Sequence, residues 1–365
     1  MKRILTGLIC LTLALSLWGC GEKASEPTTQ TTQPTQQTTQ PTQTEEPARE
    51  KMLVGISLPD EKDARWAAQG QIMSAGLEDL GYQVMLTYAD GLARNQVEDM
   101  QTMLDNGADC IVVAAVDAAE LLDVEQAAKE QGIPVIAYDR LLMDTDAVTH
   151  YVAFDYYALG EQIGKRIEAD MALAAATEPY TIEFFMGSPE DNNALLQYQG
   201  VLSVLQPYLD SGVLVCLSGR TAFEDCCFVD CSQADARDHC QSYLTEYYTK
   251  SSLDICCAAT DGLAAGCVEG LTLGGYTEEN WPYITGSGCQ PEALQRIGEG
   301  KQAITVYLDT QLLAQSCVRM VDGMLFTGDV PINAPERCHN NVQYVPACLM
   351  EFTLVDGENR EEYTQ

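Results

Sequence analysis

Short unbroken apolar runs, separated by amphipathic stretches, constrain this chain more than any other feature. Leu53-Val54-Gly55-Ile56-Ser57-Leu58 is the first, followed by runs at 84–88, 111–116 and 135–138. They do not alternate apolar with polar, as a strand with one wet face would, so they read as strands covered on both faces. Between them, Met73, Leu77 and Leu80 share one side of a helix, and Val97, Met100 and Leu104 share one side of another. Gly81, Gly107 and Gly132 each follow a helical segment, where a left-handed cap suits glycine. This alternation predicts a parallel sheet with helices on both faces. The pattern restarts after Asp155, with strands expected at 181–186, 213–217, 255–259 and 283–285. Helices are expected there at 159–175, 194–205, 234–248 and 263–273. The prediction is an α/β protein of two doubly wound lobes. Ligands of such sheets bind beyond the carboxyl ends of the strands, so the cleft between the lobes is the expected site.

The first 50 residues are not part of that pattern. Lys2 and Arg3 precede an apolar stretch at 4–18, short for a membrane span of ~20 residues. Leu17-Trp18-Gly19-Cys20 resembles a bacterial lipobox, whose cysteine is lipidated after cleavage. A signal peptide at 1–19 and a lipidated Cys20 are therefore expected. Residues 28–44 contain only Thr, Gln and Pro. Such a stretch cannot bury enough apolar surface to offset its chain entropy, and 20–50 reads as a disordered tether. The folded body is expected outside the cytoplasm, held to the membrane through the lipid anchor only.

The formal charge is −34, which speaks against nucleic acid and against docking on anionic lipid through a basic face. His150, His239 and His339 are the three histidines, too few for an imidazole-rich metal centre. No nucleophile-base-orienter set stands out, so neither an enzyme, a cofactor nor a metal is expected. Of fifteen cysteines, Cys10 falls in the signal and Cys20 is the lipid attachment point. Cys110, Cys216, Cys256, Cys257 and Cys267 lie in apolar segments and read as small core residues. Cys226, Cys227, Cys231 and Cys240 lie near His239, but their spacing fits no standard zinc pattern.

Several segments carry a family likeness in a fixed order. They are residues 54–59 with Asp63-Ala64-Arg65-Trp66, the run 131–141 through Tyr138-Asp139-Arg140, Phe154-Asp155, the segment 187–194, and Thr260-Asp261-Gly262. Together they resemble the type I periplasmic binding proteins of ABC importers, in the xylose- and multiple-sugar-binding branch. The resemblance implies two lobes joined by three crossover strands. The first lobe would be 51–155 plus 309–334, and the second 156–308 plus 335–365. It also implies a monomer that closes on one pentose or hexose and delivers it to a membrane permease. Two alternatives share the sequence: a sensory protein presenting its sugar to a membrane sensor, and a diverged binder of a non-sugar solute.

A sugar offers hydroxyls that donate and accept, and a ring face of C–H groups. Its site therefore mixes carboxylates, Asn and Arg with flat aromatic side chains. The resemblance makes Arg65 a donor to sugar oxygens and Trp66 the stacking ring. Asp139 would accept from hydroxyls beside a donating Arg140. Asp155 would either touch the ligand or cap a helix. Asn193 would reach in from the second lobe, with Asn192 as a helix cap. Thr260 is the expected contact after a second-lobe strand, and Asp261 either joins it or caps the next helix. Three positions depart from the family pattern: Gly288 where an aspartate is usual, Leu308 where a lysine is common, and Cys231 where an aromatic is expected. The second lobe's half of the site is thus expected to be depleted. Restoring Gly288→Asp with Leu308→Lys is expected to raise affinity for an aldose.

Overall fold

The computed structural model describes residues 49–228, 231–250 and 252–364. The expected signal peptide, Cys20 and most of the tether lie outside these residues. The first lobe begins with strand β1 (Leu53–Leu58), helix α1 (Ala64–Asp79), β2 (Gln83–Tyr88) and α2 (Ala93–Asp105). It continues with β3 (Cys110–Val113), α3 (Leu122–Glu130), β4 (Val135–Tyr138) and β5 (Val148–Phe154). The second lobe follows with α4 (Tyr156–Asp170), β6 (Tyr180–Phe185), α5 (Asn192–Ser211), β7 (Leu214–Val215) and α6 (Phe223–Cys226). Next come α7 (Gln233–Glu246), β8 (Ile255–Ala258), α8 (Asp261–Leu273), β9 (Tyr283–Ile284), α9 (Pro291–Gly298) and β10 (Thr305–Tyr307). The chain ends with α10 (Thr310–Asp322), β11 (Ala334–His339), β12 (Tyr344–Met350) and β13 (Thr353–Val355).

The first sheet has the order β11-β12-β5-β4-β3-β1-β2, parallel except for the β11–β12 pair. Its inner strands β1, β3 and β4 are largely apolar because each buries both faces. Cys110 and Val112 join a core with Trp66, Met73, Leu77 and α10, whereas Ile111 and Val113 join another with Met100, Met103 and Val124. The second lobe is built on the parallel order β7-β6-β8-β9, with β10 paired antiparallel to β13. Its core collects side chains of α4, α5, α7 and α8 against Phe184, Ile255 and Cys257. Helices α4 and α5 pack backbone to backbone. A Cβ at Gly160 would lie 1.9 Å from the Gln197 carbonyl oxygen, and one at Gly200 2.1 Å from that of Tyr157. Only glycine permits this approach, and it fixes the start of α5 beside the start of α4.

The chain passes between the lobes at 154–156, 307–310 and 350–353, and Tyr156 and Leu308 pack against the cores of both. Segment 335–350 departs from the sequence-based boundary, which gave it to the second lobe. It forms β11 and β12, and Ala347 pairs with Tyr151 on β5. The physical reason is the edge of β5: without β12 that strand would end the sheet with unpaired backbone groups. The last passage therefore comes after Met350, and β13 returns to the second lobe.

Candidate ligand-binding site

The site forms where β1 and β4 end. Asp63 caps α1 by accepting from the Arg65 amide at 2.8 Å, which sets Arg65 and Trp66 in the first turn of that helix. Asp139 directly follows β4 with φ +62°, a left-handed conformation unusual for a side-chain-bearing residue. Three neighbours hold it there. Its amide donates to the Val152 carbonyl at 2.7 Å, and its own carbonyl accepts from Tyr151 Oη at 2.9 Å and Asn193 Nδ2 at 2.8 Å. Asn193 sits near the start of α5, so this contact joins the two lobes.

The Asp139 carboxylate is buried. Its Oδ1 lies 2.9 Å from Arg65 Nη2 and accepts from Tyr156 Oη at 3.2 Å. Arg65 keeps Nε and Nη2 buried with no acceptor in hydrogen-bonding geometry. Nη2 faces the Asp139 carboxylate, and the half-buried guanidinium keeps Nε free to donate to an oxygen entering the cleft. Burial works against the Arg65 charge, yet Asp139 and nearby phenols keep its pKa above the ordinary value. Burial also raises the Tyr156 phenol, and Asp139 pushes it further, so Tyr156 stays a donor. The guanidinium carbons of Arg65 and Arg140 lie 4.7 and 5.7 Å from the Trp66 ring centre. Arg140 Nη1 donates to the Ala115 carbonyl at 2.8 Å.

The structure thus brings together Arg65, Trp66, Asp139, Arg140 and Asn193. Trp66 is only 5% exposed and is part of the first-lobe core. The other expected residues are committed elsewhere. Asp155 caps α4 through the Ala158 amide and pairs with Arg337 Nη1 at 2.6 Å, on the hinge. Thr260 caps α8 by accepting from the Leu263 amide. Asp261 is fully buried and accepts from Thr305 Oγ1, Gln302 Nε2 and the Gln290 amide, tying β10 and the 286–290 loop to α8. Those donors satisfy it inside the second lobe. The cap of α5 is Asp191, not Asn192: its Oδ1 accepts from the Asn193 amide at 2.9 Å.

Sequence reasoning missed Tyr151, Tyr156 and Asp191. Tyr156 adjoins Asp155 at a lobe crossing, and Asp191 stands two residues before Asn193; both positions were available as signals. Burial raises the Asp191 carboxyl, and the charges of Arg140 and Arg65 across the cleft pull the other way. His239, near the grouped cysteines in sequence, packs edge-on against Phe228 and Tyr243. Among the described residues no three His, Cys, Asp or Glu side chains converge to hold a metal.

Two α/β lobes, three crossings and a charged pair at the strand ends between them define a bilobed binding protein. The periplasmic binding protein domain family matches residues 54–328, and the chain belongs to it. It is 35% identical over 314 residues to the multiple sugar-binding periplasmic protein SbpA of Azospirillum brasilense, covering 86% of this chain and 88% of that one. It is 29% identical to the D-xylose-binding periplasmic protein of Escherichia coli K12, over 85% of this chain and 88% of that one. Among solved structures, an ABC transporter solute-binding protein of Clostridium phytofermentans with bound β-D-glucose aligns with a TM-score of 0.80. That pair is 36% identical over 85% of this chain and 95% of the other.

Proposed function

We propose that this chain is the extracytoplasmic sugar-binding component of an ABC importer, closing its lobes on one monosaccharide unit and passing the sugar to a membrane permease. The observation that carries the reading is the pair of half-buried Arg65 and buried Asp139, bridged to the second lobe by Tyr156 and Asn193. Hydroxyls would donate to Asp139 and accept from Arg65. Hydrogen bonds to charged groups contribute about 1.5–3 kcal/mol each. The sugar-binding relatives support the same class of ligand, and extracytoplasmic relatives support the location. Cys20 would carry the lipid, and the Thr/Gln/Pro stretch would let the folded body reach the permease. Among the described residues no helix is long and apolar enough to cross a membrane.

The test is a thermal-shift and calorimetric screen of the purified protein against pentoses, hexoses and their glycosides. A ligand at a hundred times its dissociation constant adds about 2.7 kcal/mol of stability. A shift with at least one sugar is expected. Shifts only with amino acids, nucleosides or metal ions would overturn the assignment.

A further inference from the structure

The first passage between the lobes borders a cavity of about 420 Å³, within the range of roughly 300–1,000 Å³ common for small-molecule sites. Tyr156 and Tyr157 of that passage line it, with Leu141 and His339 from the first lobe and Leu196 of α5 from the second. It is separate from the ligand cleft. Arg65, Trp66, Asp139, Arg140 and Asn193 do not line it, and neither does the turn at 188–191. Tyr151 and Tyr156 form the partition. Both line the cavity, and both turn their hydroxyls to Asp139, one to its carbonyl at 2.9 Å and the other to its carboxylate at 3.2 Å.

Most of the lining is leucine and aromatic ring, and Arg337 and His339 supply donors. Arg337 commits Nη1 to Asp155 at 2.6 Å and keeps its other N–H groups for water or a ligand. His339 Nδ1 accepts from the Asn341 amide at 3.1 Å, which leaves the ring proton on Nε2 as a further donor. Asp155 is the one carboxylate of the lining. It is neutralised by Arg337 and caps α4 by accepting from the Ala158 amide at 3.0 Å. The cavity therefore carries no net charge, in a chain whose formal charge of −34 already opposes anions. A flat apolar body with one acceptor oxygen meets these requirements. A sugar, with hydroxyls on every side, would bury several of them against leucine and phenylalanine without partners. We propose that this hinge cavity is a second binding site, for a small neutral aromatic molecule whose carbonyl oxygen accepts from Arg337. Its walls belong to both lobes and to the two tyrosines that hold Asp139, so an occupant favours the closed arrangement. The inference goes beyond the sugar-binding reading and stands whichever solute the cleft takes.

The experiment is calorimetric titration of the full-length protein with acetophenone, benzamide and methyl benzoate. Toluene serves as the ring without an acceptor, and benzoate as the anion. At least one carbonyl probe is expected to bind with a dissociation constant of about 1 mM or below. It should bind about tenfold more tightly than toluene or benzoate, the equivalent of one charge-assisted hydrogen bond. Leu196→Trp, which fills the cavity from a position outside the packed cores, is expected to abolish that binding. Arg337→Met, at a side chain 53% exposed, keeps the fold and the space and is expected to remove the preference for a carbonyl. Small-angle scattering at saturating probe is expected to give a radius of gyration no larger than that of the free protein. Carbonyl binding that survives Leu196→Trp lies elsewhere and overturns the site. Tightest binding by benzoate, or no binding by any neutral probe, overturns it too. A preference unchanged in Arg337→Met overturns the assigned contact, and a larger radius with probe overturns the link to closure.

Discussion

Asp139 organises the site, and its backbone explains why an acid suits the position. Asn and Asp enter the left-handed region more readily than other L residues. Asp139→Asn therefore keeps the φ of +62° and nearly the same volume while removing the charge. It is expected to weaken sugar binding about tenfold or more by titration calorimetry and to lower the melting temperature, because Arg65 loses its counter-charge. Wild-type affinity in that variant would remove Asp139 from the site. Trp66 behaves differently. From the sequence it reads as a stacking ring, but it is buried in the first-lobe core. Trp66→Ala is expected to cost about 3–5 kcal/mol of stability even without sugar, read from the urea midpoint. A loss of binding in that variant would not isolate a stacking role. The backbone at Gly288 argues against the expected repair of the second-lobe half. Its φ is +117°, and a Cβ there would lie 3.6 Å from Asp261 Oδ2. Gly288→Asp adds strain and a second carboxylate beside a buried one, and Leu308→Lys places an ammonium where both cores meet. The double variant is expected to unfold at lower urea and to bind aldoses no more tightly; a gain in affinity at unchanged stability would refute this.

At the scale of elements, the strands β1 to β4 and β6 to β9 and the main helices between them were legible because the inner strands are largely apolar on both faces. The expected strand at 255–259 is β8, Ile255–Ala258, and the expected helix at 263–273 is α8 with its first turn at Asp261. What escaped were β5, α9, α10 and the strands from β10 onward. The β12 sequence Tyr344-Val345-Pro346-Ala347-Cys348-Leu349-Met350 is interrupted by proline, and its place beside β5 depends on a partner far away in sequence. The site was legible where a motif sits at a strand end, as with Asp139 and Arg140. It was misread where the same residue types serve a lobe internally, as with Asp261, since a sequence does not show which donors reach a buried carboxylate. Helix α3 shows another such residue. Glu125 is fully buried, and neither carboxylate oxygen has a donor in hydrogen-bonding geometry. Burial pushes its carboxyl up to about 7, against a smaller opposing pull from Thr145. A carboxyl raised on folding stays protonated in the native state after the unfolded chain has ionised. Native stability is therefore lost as pH rises from the unfolded pKa of about 4.3 towards 7, by an amount on the order of 3 kcal/mol. Melting curves between pH 5 and 8 should show this decline. Glu125→Gln should flatten it and melt higher than wild type at pH 8; an unchanged slope would show that Glu125 does not set it.

For the whole molecule, the two lobes have separate cores and three connecting passages, so rotation of one against the other is the motion of least cost. In the arrangement described, opening must break the Asn193 bond to the Asp139 carbonyl at 2.8 Å and the Tyr156 bond to its carboxylate at 3.2 Å. Tyr151 Oη, 3.4 Å from Asn193 Oδ1, belongs to the same junction. Exchanged for water, the neutral Asn193 bond favours closure by only about 0.5–1.5 kcal/mol and the charge-assisted Tyr156 bond by about 1.5–3 kcal/mol. The closed form is therefore poised, and a ligand that adds contacts to both lobes shifts the balance towards it. Asn193→Ala removes the second lobe's direct hold on Asp139. If closure is what makes the site competent, apparent affinity scales with the closed fraction. The variant should show a larger radius of gyration than wild type in small-angle scattering without sugar, and the same radius at saturating sugar. Its titration should require correspondingly more ligand. A variant with wild-type radius and weakened binding would make Asn193 a ligand contact alone, with no part in holding the lobes together.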